Sequence, residues 1–313
     1  LPFFRNTILD LPVGRFFCFW RFLRLFIFKH HPGFSPIFAA HFLPMIYQKV
    51  VLITGASSGI GKAIGTFLHD KGYKVIGTSR TPSKYPNPLF PLLAMEVQDS
   101  HSIQRVVDEV VAKYKEIDVL INNAGVGITG PLEELPEHEM KANFDTNFFG
   151  PIAVMQAVLP HMRNQKSGLI INITSIAGYM GLPYRSIYSA SKGALELITE
   201  SLRMEVKPFG IQITNVAPGD FATNIATNRF HAPVQMVSAY ATSYGKTLAL
   251  LNEHVDSGSN PLQMAEAVYK IIQTPSPKIH YKVGSFMQKF SVVLKRILPD
   301  KIYERLLMNH YKL

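Results

Sequence analysis

Ser175, Tyr188 and Lys192 have the types and spacing for proton transfer at an oxygen atom. Ser175 follows an apolar run, Leu169-Ile-Ile-Asn-Ile-Thr174, and Tyr188-Ser-Ala-Ser-Lys192 places an amine four positions after a phenol. If Arg185 to Lys207 is a helix, Tyr188 and Lys192 share a face one turn apart. A free phenol has a pKa of about 10 and is a poor base at neutrality. An ammonium one turn away favours the phenolate and lowers that pKa. Such a phenol gives or takes a proton at a carbonyl or alcohol oxygen, and Ser175 would hold the same oxygen by a hydrogen bond. Alone the pair is weak, because a chain with 13 Tyr meets Tyr-x3-Lys by chance. Its weight comes from the elements around it.

Lys49-Val-Val-Leu-Ile-Thr54 reads as a buried strand. It runs into Gly55-Ala-Ser57-Ser58-Gly59-Ile60-Gly61-Lys-Ala-Ile-Gly65 and then a helical pattern to about Lys71. Strand, glycine-rich turn and helix form a cradle for a pyrophosphate, which the backbone approaches closely and the helix N-terminus attracts. The second strand, Tyr73 to Thr78, leads to Thr78-Ser79-Arg80. No acid stands there to take ribose hydroxyls, and Arg80 suits a 2′-phosphate, so the spacing favours NADP(H) over NAD(H).

Further strands are predicted at Leu92-Leu-Ala-Met-Glu96-Val97, at Asp118-Val-Leu-Ile-Asn122 with the exit turn Asn123-Ala124-Gly125, at Leu169 to Thr174, and at Ile211 to Val216. The last of these runs on into Ala217-Pro218-Gly219, and Lys278 to Tyr281 reads as a final edge strand. Helical patterns lie between them, at Ser100 to Lys115 and across Pro131 to Arg163, where Asn147-Phe-Phe-Gly-Pro151 predicts a break. Alternating strands and helices imply a doubly wound parallel sheet with its ligand at the carboxyl ends of the strands. Asn172-Ile-Thr174 matches a glycosylation sequon but sits in a predicted buried strand and is set aside.

The 313 residues are 47% apolar and 17% charged, which suits one large domain with appendages. One Cys excludes a disulfide framework, and the 11 scattered His offer no zinc spacing, so no metal is expected. The net charge of +10 is confined to the ends. Residues 278–313 carry eight basic and two acidic side chains, residues 1–44 carry five and one, and the body between is neutral. That distribution speaks against nucleic acid.

Residues 1–44 hold 11 of the 21 Phe and differ from the rest. Three readings stay open: a reading frame extended upstream of Met45, which is preferred, an interfacial anchor, or a segment packed on the domain. A catalytic domain is expected over 45–285, with residues 221–260 as a lid or substrate wall rich in Met and aromatic side chains. The tail, 286–313, holds two amphipathic stretches split by Leu298-Pro299-Asp300. They would dock on the domain, on a second subunit, or on an acidic membrane surface.

Taken together, Thr54-Gly-Ala-Ser-Ser-Gly-Ile-Gly61, Asn122-Asn-Ala-Gly125, Asn147, Ser175, Tyr188-x3-Lys192 and Pro218-Gly219 stand in an order that resembles the short-chain dehydrogenase/reductase family. The resemblance covers about Ile46 to Gln273, and the branch looks like that of hydroxysteroid and retinol dehydrogenases with many bacterial oxidoreductases. It implies a Rossmann-type α/β fold with seven parallel strands, and a tetrad of Asn147, Ser175, Tyr188 and Lys192. In that tetrad Tyr188 is the acid/base, Ser175 orients the reacting oxygen, Lys192 also holds the nicotinamide ribose, and Asn147 supports a proton relay. Glu96-Val97 would contact the adenine, where the family more often has Asp-Val, and Thr223 would touch the carboxamide or phosphate end of the cofactor. The expected activity is NADP(H)-dependent hydride transfer with a small apolar carbonyl or alcohol substrate, in a cytoplasmic homo-oligomer. The alternative is a non-catalytic NADP-binding regulator on the same fold.

Overall fold

A computed structural model describes residues 48–222, 229–256 and 258–313. Gln48–Leu313 forms one compact unit around a seven-stranded sheet. The first strand, β1 (Val50–Ile53), is buried along its whole length, as a continuous apolar run in a two-faced sheet should be. It pairs in parallel with β2 (Lys74–Ser79) on one side and β4 (Val119–Asn122) on the other. Beyond β2 lies β3 (Leu92–Ala94). Beyond β4 follow β6 (Gly168–Ile173), β7 (Ile211–Pro218) and β9 (His280–Val283), giving the order β3-β2-β1-β4-β6-β7-β9 with every pairing parallel. A separate two-stranded ribbon joins β5 (Ile128–Thr129) to β8 (Phe230–His231).

Helices cover both faces. On one, α1 (Gly59–Asp70) and α7 (Leu262–Ile272) share a core with Val51, Ile53 and Ile171. On the other, α2 (Ser100–Tyr114), α4 (Gly150–Gln165) and α5 (Ser186–Val206) pack on Leu52, Leu120 and Ile170. The apolar side chains of successive strand residues, such as Leu52 and Ile53, thus serve opposite layers. The strand predicted through Val97 ends at Ala94, because the Glu96 N–H leaves the ladder and donates to Ser102 Oγ at 3.1 Å.

The break expected at Asn147 takes a particular form. Helix α3 (Glu137–Phe144) continues through a π-helical turn, Asp145–Phe149, directly into α4. The chain is not interrupted at Gly150-Pro151; one extra residue is accommodated and the Gly150 N–H reaches back to the Asp145 carbonyl. Within 221–260, the segment expected to form a lid or substrate wall, the described residues contribute β8 and a helix, α6 (Ala241–Asp256).

The tail forms two helices, α8 (Phe286–Ile297) and α9 (Asp300–Tyr311). Ser285 opens α8 with a reciprocal capping box to Gln288. Val292 and Tyr303 are buried against Ile176, Met180 and Ala217, so the tail docks on the domain at the edge of the sheet where Ser175 lies.

Candidate active site

The loops after β1 and β4 are laced together by one buried hydroxyl. Thr54 Oγ1 accepts from the N–H groups of Asn123 and Ala124, both at 2.9 Å. Asn123 Nδ2 returns donors to the Thr54 and Gly55 carbonyls, each at 3.0 Å. The close approach leaves no room for side chains. A Cβ on Gly61 would stand 2.4 Å from Asn123 Nδ2, and Gly55 has φ +66° with the Ala124 backbone 3.0 Å from its would-be Cβ. Gly59 and Ile60 begin α1, preceded by Ser57 and by Ser58 at the N-cap position. Ser58 makes no capping hydrogen bond, and the first turn of α1 holds no acid. The helix therefore presents uncapped N–H groups and its positive end toward the loop. These features fit the phosphates of a dinucleotide. Arg80 is exposed just past β2, and Glu96 and Val97 lie just past β3, so this whole set lines one edge of the sheet.

Asn147 is fully buried in the π-turn. Its Oδ1 accepts from the Val126 N–H at 2.9 Å, and its Nδ2 donates to the Val126 carbonyl at 2.8 Å and to Asn143 Oδ1 at 3.2 Å. Lys192, also buried, donates from Nζ to the Ile173 carbonyl at 3.0 Å. The two side chains meet over Gly125, whose would-be Cβ lies 3.0 Å from Asn147 Oδ1 and 3.3 Å from Lys192 Nζ. Burial pushes the Lys192 ammonium down to about 8, while the carboxylate of Glu196 opposes that shift.

Ser175 stands at the end of β6, where its Oγ accepts from the Ala177 N–H at 3.1 Å and caps a short turn. That contact uses an acceptor lone pair and leaves the hydroxyl proton for another oxygen. Tyr188, one turn before Lys192 on α5, packs among Ile128, Ala177, Ala232 and Tyr244. Pro218 ends β7 and Gly219 follows, with Gln288 of α8 packed on it. Thr223 lies outside the described residues.

Sequence reasoning missed the polar thread that anchors α5. Asn122, Asn172 and Asn215 stand side by side on β4, β6 and β7. Asn122 donates to Asn172 at 2.9 Å, Asn172 to Thr199 at 2.8 Å, and Thr199 to Asn215 at 2.7 Å. Asn215 in turn donates to Glu196 at 3.0 Å. Glu196 is buried and also receives Thr174, Tyr179 at 2.8 Å and His280 at 2.7 Å. The only signal in the sequence was a repeated Asn at equivalent strand positions. The burial of Asn172 in β6 agrees with setting the sequon aside.

Two grooves flank the loop that follows Ser175. One of about 590 Å³ is lined by Pro131, Leu132, Leu182, Pro183, Tyr184 and Tyr240. The other, about 560 Å³, lies between Met180–Pro183 and the tail residues Tyr303, Leu307 and Met308. Leu182 and Pro183 form the wall common to both, a few residues before Tyr188.

A doubly wound parallel sheet with a glycine cradle after its first strand and a Ser, Tyr and Lys grouped at the same edge defines a dinucleotide-dependent oxidoreductase class. The family description "short chain dehydrogenase" matches residues 49–234, and the chain belongs to that family. It is 39% identical to a 3-ketodihydrosphingosine reductase of Bacteroides thetaiotaomicron over 84% of this chain and 98% of that protein. It is 34% identical to human retinol dehydrogenase 8 over 74% of this chain and 80% of that one. A crystal structure of a short-chain dehydrogenase from Streptomyces avermitilis superposes with TM-score 0.71 at 32% identity, covering 85% of this chain and 97% of that one. Structures sharing the fold include complexes with NADP and with NAD.

Proposed function

We propose that this chain is an NADP(H)-dependent reductase of a carbonyl group on an apolar, lipid-like molecule. The observation that carries the reading is the junction of Asn147, Lys192 and Gly125, with Tyr188 one helical turn from Lys192 and Ser175 at the end of the neighbouring strand. The dinucleotide, when bound, supplies or receives the hydride. Tyr188 gives the proton to the carbonyl oxygen, and Ser175 holds that oxygen with its free hydroxyl proton. Lys192 supplies positive charge beside the phenol and faces the place that a ribose would fill over Gly125. Asn147 fixes the turn that brings Val126 and Asn143 to this point.

The preference for NADP(H) rests on Arg80, exposed past β2 with no acid at Thr78 or Ser79. An apolar substrate is supported by Leu182, Tyr184, Tyr240 and Tyr244 around Tyr188 and by the lipid ketone in the name of the Bacteroides relative. Side-by-side binding of NADPH and NADH tests the cofactor reading. Tighter binding of NADPH is expected, and equal or weaker binding would refute it.

The reading includes a cytoplasmic enzyme in peripheral contact with membranes. No helix among the described residues is long and apolar enough to cross a membrane. The tail nevertheless exposes Phe286, Met287, Val293 and Ile297 beside Lys289 and Arg296, a pattern suited to an anionic lipid surface. Phe286 and Phe290 stack at 5.6 Å on this face. Replacing Phe286 and Ile297 by Ser should abolish pelleting with phosphatidylserine vesicles, and unchanged pelleting would end the idea. Self-association is supported by Leu197 and Met204, exposed on α5, and light scattering of the L197E variant against wild type would test it.

A further inference from the structure

We propose that Arg185 and Arg229 form an anion-recognition site beside Tyr188, so that the carbonyl compound this chain turns over carries a carboxylate-type group. The proposal deepens the reductase reading and rests on it for the identity of the reacting centre.

The fold brings the two residues together from distant parts of the chain. Arg185 stands at the N-cap position of α5, three residues before Tyr188, and its guanidinium carbon lies 4.9 Å from the centre of the Tyr188 ring. Arg229 immediately precedes β8, whose pairing with β5 sets it against the loop after β4. Its stem lies over Gly127, where a Cβ would stand 2.8 Å from Arg229 Cγ. Gly127 is two residues from Gly125, over which Asn147 and Lys192 meet.

Among the described residues neither guanidinium is neutralised. Arg229 is only 8% exposed, yet among the described residues no carboxylate lies within ion-pair distance of it or of Arg185. Arg229 Nη2 donates to the neutral Asn252 Oδ1 at 2.6 Å. The Nε atoms of both arginines are buried with no hydrogen-bond partner. Arg185 also meets the hydroxyl of Tyr311 at the end of α9. Asp220, the acid that acts on Arg229 from a distance, accepts Gln288 Nε2 at 2.8 Å. Burial pushes the Arg229 guanidinium down, and the facing charge of Arg185 pushes it the same way.

A buried cation such as Arg229 without a counter-ion is costly, and the like charge of the half-buried Arg185 adds to that cost. A carboxylate answers these together: it takes donors from two guanidinium forks, supplies the acceptor that the donor groups lack and offsets the mutual repulsion. The dinucleotide phosphates are provided for elsewhere, by the glycine loop and Arg80. A cationic head group would be repelled from the same place.

Equilibrium binding of octanoate, 1-octanol and octylamine to the full chain saturated with its oxidised dinucleotide tests the site without any variant. Octanoate should bind about tenfold more tightly than octanol, with octylamine weakest. Arg229→Gln should cost octanoate about tenfold and octanol less than about twofold, with Arg229→Lys intermediate. Equal binding of octanoate and octanol by the wild type would overturn the proposal, as would an equal loss of both in Arg229→Gln. The readout is binding alone, so a chain that reduced no ketone would refute the reductase reading and leave this order measurable. Conversely, turnover of neutral ketones with no preference for octanoate would remove only the anion site.

Discussion

Asn147 grips Val126 at both ends of one residue's backbone, accepting its N–H at 2.9 Å and donating to its carbonyl at 2.8 Å. The grip joins the π-turn to the β4 exit and so sets the distance between Asn147 and Lys192 across Gly125. Asn147→Leu would leave the Val126 N–H without its partner and the Val126 carbonyl with Asn143 Nδ2 alone, at 3.1 Å, in a part-buried place. We expect a loss of about 1–3 kcal/mol in unfolding free energy, with turnover falling further than stability accounts for. Denaturant unfolding and steady-state kinetics on the same preparation check this; a stable variant with unchanged kcat would contradict it.

Glu196 is the acid that holds the Lys192 ammonium up against burial. Lys192, at about 8, loses its proton as pH rises through that value, and with it the positive charge beside Tyr188. Removing the Glu196 charge lowers the Lys192 value further. Glu196→Gln should therefore shift the alkaline limb of the pH–activity profile toward lower pH. A limb that stays in place would show that Glu196 serves α5 packing only.

His280 lies between Glu196 and Glu200, with Nδ1 at 2.7 Å from the first and Nε2 at 2.9 Å from the second. The hydrogen bond that the His280 ring donates to Glu196 is the main cause that raises its pKa, with desolvation opposing. The protonated form is thus favoured by folding. The stability it contributes is fully present below the unfolded value of about 6.5 and is lost as pH rises through the folded value. The Tm advantage of wild type over His280→Asn should shrink as pH rises from about 6 to about 9. A difference independent of pH would contradict this assignment. Tyr179, Lys282 and Arg296 also bear on the cluster and remain in both proteins.

Arg80 is exposed and stands past the end of β2, the position that reads the adenosine ribose in dinucleotide folds. Arg80→Ala should weaken NADPH binding by about 10- to 100-fold and leave NADH within about twofold. Equal weakening of both cofactors would mean that Arg80 does not meet a 2′-phosphate.

The sheet was legible because its strands are buried on both faces and spell continuous apolar runs, from Val50–Ile53 to Gly168–Ile173. The cradle and the Ser, Tyr and Lys were legible because glycine spacing and helical periodicity are local properties. What was hidden depends on distant partners. The end of β3 is set by Ser102, and the π-turn replaces the expected break because Asn147 is held by Val126. The Asn122–Asn172–Asn215 thread and the approach of Arg229 to Arg185 exist only once strands and ribbon are assembled. The tail's amphipathic stretches were visible in their spacing, but their docking against Ile176 and Met180 was not.

The most direct measurement is NADPH oxidation with a 3-keto lipid by wild type and by Tyr188→Phe, alongside the NADPH dissociation constant of each. Loss of the phenolic proton should reduce kcat by about 10²- to 10⁴-fold and leave NADPH affinity within about twofold. Turnover retained by the Phe variant, with cofactor still bound, would contradict Tyr188 as the proton donor and the account built on it.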